Sequence, residues 1–317
     1  MRVFLAGATG AVGRGLVPAL VAAGHEVTGM TRTPAKAVAL EDAGARVVIA
    51  DALDADSVRT AVADARPDVV VNQLTDLATL GSNMRRFDSY FEMTNRLRTE
   101  GNDHLLAAAR AAGARRFLAQ SFGGWPYARD GASVKAEDEP LDPDPAKGMR
   151  AIHAAIVHLE DAVTGAEGIE GLVLRYGFFY GPGTSIAAAP DGAQVEAVRK
   201  RALPVIGDGA GIWSFTHIDD AVAATALAVD RGAAGLYNVV DDEPAPVSEW
   251  LPALADAVGA KPPRHVPRWL GRLGGGPAAV AMMCQIRGAA NGKAKRELGW
   301  TPRWPTWRDG FVHGLGA

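Results

Sequence analysis

The chain is short of cysteine, of charge imbalance and of long apolar runs, and each shortage excludes something. One cysteine, Cys284, stands in 317 residues. That rules out an internal disulfide framework and a cysteine-based zinc site. Its setting, "AVAMMCQI", reads as a small buried thiol. The net charge is −3 and the Lys and Arg residues are dispersed, so the electrostatic footprint of a nucleic-acid binder is missing. No uninterrupted apolar run reaches the ~18 residues of a membrane span. The opening "MRVFLAGATG" turns glycine-rich too soon for the apolar stretch of a signal peptide. The expectation is a cytoplasmic protein with no nucleic-acid, membrane or metal partner.

What is present is apolar material, 48% of the residues, enough for a large core. In the first half it falls into short runs that read as strands at 2–6, 25–30, 45–50, 67–73, 115–121 and 171–177, with helical stretches between them. The runs do not alternate in polarity, as expected where helices cover both sheet faces. Strand–helix alternation implies βαβ units and a parallel sheet. The predicted class is α/β, a Rossmann-type doubly wound sheet. After residue 177 the rhythm loosens into a smaller lobe over 178–317, some of whose strands return to the first domain. There Asp219 or Asp220 is expected to cap a helix ended by Gly232, and 235–240 reads as a strand. Ser248 is expected to cap a further helix with Pro252 in its first turn.

"GATGAVG" places Gly7, Gly10 and Gly13 directly after the first strand and at the start of a helix, with Thr9, Ala11 and Val12 between and beside them. Gly7 permits the tight turn, Gly10 lets the backbone approach a pyrophosphate, and Gly13 lets helix pack on strand. The helix N-terminus offers free N–H groups to phosphates. In this context the sequence resembles the extended short-chain dehydrogenase/reductase superfamily, in its NAD-dependent epimerase/dehydratase branch. "DALD", "LRYGFFYGPG", "SFTHIDDAV", "GLYNVVDDEP" and "KAKRELGWTPRW" match that family in order along the chain. The resemblance implies a dinucleotide-binding domain over 1–177 and a C-terminal lobe that binds substrate.

The residues after the second strand separate NAD from NADP. A carboxylate there would take the ribose 2′-hydroxyl. The chain instead has Arg32, which can fork onto a 2′-phosphate, and Lys36, which can add a second charge. NADP is therefore expected, with NAD second. By the resemblance, Asp51 and Ala52 lie beside the adenine. Asn72, Gln73 and Leu74 border the ribose and diphosphate, and Tyr176, Gly177 and Phe178 border the nicotinamide.

The family's proton relay, a Tyr with a Lys four residues on, is missing. None of the five tyrosines has a lysine at that spacing. Anchoring on Glu160, which matches a recurring family glutamate, puts Ile152 and Ile156 at the two positions. A second alignment puts Met149 and His153 there. Ser121 matches the family's hydroxyl at the end of strand five. Three groups are left to carry a proton: Ser121, Tyr127 on the loop after it, and His153 with its near-neutral pKa. Loops 121–135 and 180–195, with Trp125, Tyr180 and Pro182, are expected to shape the pocket, and His217 reads as structural. The leading expectation is an NADP-dependent oxidoreductase or epimerase acting on a small organic molecule without the usual acid/base pair. A redox-neutral isomerase or lyase, and a non-catalytic NmrA-like NADP sensor, are the rivals. A homodimer is left open.

Overall fold

The computed structural model describes residues 1–77, 87–188 and 192–316. Its first half runs β1 (Arg2–Ala6), α1 (Ala11–Ala22), β2 (Glu26–Thr31), α2 (Ala37–Asp42), β3 (Arg46–Ile49), α3 (Ala55–Ala65) and β4 (Val69–Asn72). It continues with α4 (Phe87–Tyr90), α5 (Glu92–Arg96), a π-helical turn (Leu97–Gly101), α6 (Asn102–Ala111), β5 (Arg116–Phe122), β6 (Val134–Lys135), α7 (Arg150–Thr164) and β7 (Glu170–Tyr176). The second half contains β8 (Phe178–Tyr180), α8 (Ala193–Arg199), β9 (Val205–Ile206), β10 (Ile212–Trp213), β11 (Phe215–His217), α9 (Ile218–Asp230) and β12 (Gly235–Val239). It ends with β13 (Ala245–Pro246), α10 (Val247–Ala257), β14 (His265–Val266), α11 (Arg268–Cys284), β15 (Gly288–Ala289), α12 (Gly292–Leu298) and α13 (Trp307–His313).

Seven parallel strands form the central sheet in the order β12-β7-β5-β4-β1-β2-β3. The order reverses between β1 and β4, the switch point where open sheets of this kind open a crevice at the strand carboxyl ends. One sheet face packs on α1 and α9 through Leu16, Val17, Ala221 and Ala224; the other packs on α3, α6 and α7 through Val58, Leu105 and Leu159. A separate cluster joins Trp213, Phe215, Trp250 and Trp307 of the second half to Ile152 and Ile156 of α7.

The local reasons are readable in the chain. Asp54 caps α3, its carboxylate accepting from the Asp56 and Ser57 amides at 3.0 and 3.1 Å. Two bonds close the end of α1: Gly24 at φ +83° donates to Val21, and His25 donates to Leu20. The second strand therefore begins at Glu26, one residue later than its apolar run suggests.

Two predicted caps are corrected. Helix α9 is capped by His217, whose Nδ1 accepts from the Asp219 amide at 3.1 Å while Nε2 donates to the Gly314 carbonyl at 2.9 Å. Asp220 instead accepts from the Arg303 and Trp304 amides at 2.6 and 3.0 Å and ties the C-terminal segment to α9. Helix α10 starts at Val247 behind Pro246, in extended conformation, and not at a Ser248 cap. The Ser248 amide is spent on the Gly209 carbonyl, and Pro252 falls in the second turn.

Candidate active site

The glycine turn shapes the floor of the crevice. Gly7 has φ +85°, and a Cβ there would lie 2.5 Å from the Gln73 carbonyl oxygen. A Cβ on Gly13 would lie 2.2 Å from the Gly7 carbonyl, so the close helix–strand approach needs glycine at both ends. Gly10 is exposed and is the N-cap of α1 with no side-chain hydrogen bond. The first N–H groups of a twelve-residue helix thus stay uncapped at the switch point. Thr9 and Ala11 flank Gly10 half-buried, and Val12 is core.

Beside this turn, Gln73 is oriented by a directed relay. Thr225 Oγ1 donates to the Ala221 carbonyl at 2.6 Å, so it accepts from the Tyr176 hydroxyl at 2.6 Å. That hydroxyl in turn accepts from Gln73 Nε2 at 3.1 Å. The relay leaves Gln73 Oε1 buried with no partner among the described residues, an acceptor held ready for a hydroxyl or amide. Tyr176 is 1% exposed and burial pushes its phenol up to about 12, so it acts here as a strut. Leu74 is half-buried, its amide held by Asn72 Oδ1. The Gly177 amide donates to Thr216 Oγ1 at 2.9 Å, and the Phe178 ring stacks on Trp213 with centroids 3.7 Å apart.

Ser121, at the end of β5, donates to Glu160 Oε1 at 2.7 Å. Arg175 on β7 grips the same carboxylate from Nε at 2.8 Å and Nη2 at 2.5 Å. Its Nη1 donates at 2.8 Å to the Tyr127 hydroxyl, which donates to Asn238 Oδ1 at 2.9 Å. Burial alone would lower the Arg175 pKa, but the paired Glu160 carboxylate holds it above the usual value. Tyr127 is fully buried, and burial pushes it up to about 12. This differs from a phenol swung over the crevice: both its donor and acceptor capacity are used to join β5, α7, β7 and β12. His153, 8% exposed, donates from Nε2 to the Pro126 carbonyl at 3.2 Å and lines a cavity with Trp125, Arg129, Asp142, Met149 and Ile286. Ile152 and Ile156 are fully buried in the cluster that joins α7 to the second half. Tyr180 is buried against Phe215, His217 and Phe311, so it belongs to that core. Residues 189–191 of the second pocket loop lie outside the described residues.

At the other end of the crevice, Arg32 and Lys36 are exposed and form no ion pair among the described residues. Asp51 is exposed, its Oδ1 accepting from the Leu53 amide at 3.0 Å. Ala52 is buried, and its carbonyl accepts from His104 Nδ1 at 3.0 Å.

Residues 3–240 match the model of the NAD dependent epimerase/dehydratase family. The chain belongs to that family. A 3-diazoavenalumate denitrifying reductase of a Streptomyces species is 47% identical over 98% of this chain and 99% of its own length. A UDP-glucose 4-epimerase of Mycolicibacterium smegmatis is 29% identical over 96% of this chain and 94% of its own. Among solved structures, the UDP-glucose 4-epimerase of Thermotoga maritima with UDP-glucose superposes at a TM-score of 0.75 and 21% identity, covering 99% of this chain and 97% of that one. That of Thermus thermophilus with NAD does so at 0.70 and 24%, covering 99% and 98%. This member of the epimerase/dehydratase family is an enzyme of the oxidoreductase/epimerase kind.

Among the buried polar side chains to which the sequence assigns no role are Arg98, Asn102, Glu137, Arg175, Thr225 and Asn238. Asn102 Oδ1 accepts from Asn72 at 3.0 Å, and Glu137 Oε1 accepts from the Asn238 amide at 2.8 Å. The first two carried a signal. Arg98 and Asn102 stand four apart, on the helical stripe continued by Leu105 and Ala109, where apolar residues belong. Among the described residues, no cluster of three or more His, Cys, Asp or Glu could hold a metal, and no helix is long and apolar enough to cross a membrane.

Proposed function

We propose that the chain is an NADP-dependent reductase that removes a diazo group from a small organic molecule. The observation that carries this reading is the helix face of α7. By the alignment anchored on Glu160, it presents Ile152 and Ile156, both fully buried, at the positions of the family's proton-donating Tyr and its Lys. Reduction of a carbonyl generates an alkoxide that must take a proton, usually from a positioned acid. A bound dinucleotide would supply a hydride; its delivery to a diazonium with loss of dinitrogen would give a C–H bond, R–N₂⁺ + H⁻ → R–H + N₂, balanced with no proton from the protein. The similar Streptomyces protein is named for a denitrifying reduction of a diazo compound.

The chain's residues fit a dinucleotide. The glycine cradle leaves no room for a Cβ, the α1 amides are uncapped, and Gln73 Oε1 lacks a donor among the described residues. Arg32 and Lys36, exposed after β2 and without an ion pair among the described residues, favour the 2′-phosphate of NADP. Ser121, with its proton on Glu160, is a fixed lone pair at the end of β5 that orients a substrate polar group. Phe122 and Phe178, edge to face at 4.9 Å, supply an apolar, aromatic wall.

The test is NADPH oxidation, followed at 340 nm, with an arenediazonium salt and with a ketone of the same skeleton. The expected result is turnover of the diazonium with release of dinitrogen and a rate at least about a hundredfold lower on the ketone, which lacks its acid catalyst. Equal rates, or turnover without net NADPH oxidation, would refute the proposal; the second result would point to redox-neutral chemistry.

A further inference from the structure

Arg98 sits in the π-helical turn between α5 and α6, a distortion that tends to mark functional positions. It is 4% exposed. It donates no hydrogen bond among the described residues, and its Nε and Nη1 are sealed from solvent without partners. Its neighbours on the same helical face are polar and incompletely satisfied as well. Among the described residues, Asn102 Nδ2 and Asn95 Oδ1 have no partner, though Asn102 Oδ1 is held by Asn72 at the end of β4.

The carboxylate whose charge reaches Arg98 is Glu160. Both Glu160 oxygens are already taken, by Arg175 and Ser121. Among the described residues, Arg98 is therefore a buried cation with no carboxylate of its own. Burial brings its pKa down to about 10, so it remains charged at neutral pH. A buried charge without a partner costs stability, and a fold retains such a group most simply where a ligand completes it. Its reach to Glu160 and the Asn102–Asn72 bond place it at the carboxyl ends of β4 and β5, beside α7. The phosphate-binding turn follows β1, two strands from β5, roughly 10 Å away at ~4.8 Å per strand.

We infer that Arg98 is the anchor for an anionic oxygen of the substrate, a carboxylate, at the base of the crevice between α7 and the π-helical turn. This deepens the reductase reading and rests on it for the reaction, but not for the binding site itself. The substrate class becomes a diazo-bearing carboxylate. Asn102 Nδ2, one helical turn from Arg98, supplies a second donor to that oxygen.

The test uses the full chain saturated with NADPH at pH 7.5, with benzoate and neutral benzamide as probes in thermal-shift titrations. Benzoate should raise the Tm saturably and benzamide should not. Arg98→Met should weaken the benzoate midpoint by about tenfold or more, the loss of a charge-assisted contact, while NADPH affinity stays within about twofold. Its ligand-free Tm should match or exceed the wild type, because hydrocarbon replaces an unpartnered charge. Arg98→Lys should keep part of the benzoate response, and that comparison decides the matter if the Met variant fails to fold. No benzoate effect on the wild type, an equal effect on wild type and variants, or a tenfold loss of NADPH affinity with benzoate binding retained would each overturn the assignment. If Arg98-dependent benzoate binding holds but no diazonium is reduced, the reaction fails and the anion site stands. Reduction that ignores Arg98 sinks the anchor alone.

Discussion

Tyr127 illustrates how placement changes the consequence of a residue. Its hydroxyl accepts from Arg175 and donates to Asn238, at 2.8 and 2.9 Å, inside a fully buried network. Tyr127→Phe leaves an Asn238 oxygen and an Arg175 N–H unpaired, at a cost of about 1–3 kcal/mol. Denaturant unfolding should show that loss with kcat changed by less than about threefold. A hundredfold loss of kcat at unchanged stability would return Tyr127 to an acid's role. Burial also sets an alkaline limit. Tyr127 and Tyr176 are pushed up to about 12, whereas the unfolded chain releases these protons near pH 10. The stability they contribute, on the order of 2–3 kcal/mol each, is complete below pH 10 and is lost as pH rises from 10 to 12. Titration at 295 nm should find tyrosinate in the unfolded chain at pH 11 while Tyr127 and Tyr176 stay neutral in the native one. Coincident curves would contradict this burial.

The elements make their own predictions. Helix α1 begins at an exposed, uncapped Gly10, so Gly10→Asp should abolish dinucleotide binding in a folded protein by setting a carboxylate against the pyrophosphate. Unchanged affinity by calorimetry would refute the phosphate site. After β2, Arg32→Ala should weaken NADPH by about ten- to a hundredfold, a charge-assisted contact of about 1.5–3 kcal/mol, and leave NADH nearly unchanged. Equal losses would refute the NADP preference. The strands and the glycine turn were legible because a buried parallel sheet writes continuous apolar runs, and because Gly7 and Gly13 occupy positions that a Cβ would overfill. The caps of α9 and α10 were not. His217 caps through a ring nitrogen, and Pro246 starts its helix by backbone geometry that no side-chain pattern announces.

At the scale of the molecule, a doubly wound parallel sheet followed from periodicity and resemblance, but the order of its seven strands did not, because periodicity marks strands without saying which ones pair. The buried network from Ser121 to Asn238 did not either, since its members come from β5, α7, β7, β12 and an intervening loop and meet only when the sheet closes. Arg98 was half legible: an arginine on a core stripe signals something, but only burial without a partner says that it awaits an anion. We propose that this fold transfers hydride to a diazo substrate without an enzymic proton donor. The test is the fate of deuterium from NADPH carrying two deuterium atoms at C4 of the nicotinamide, in ordinary water, with an arenediazonium carboxylate as substrate. Direct hydride transfer should place one deuterium in the product, at the carbon that lost dinitrogen. Hydrogen from water at that carbon, or product formed without oxidation of NADPH, would contradict it.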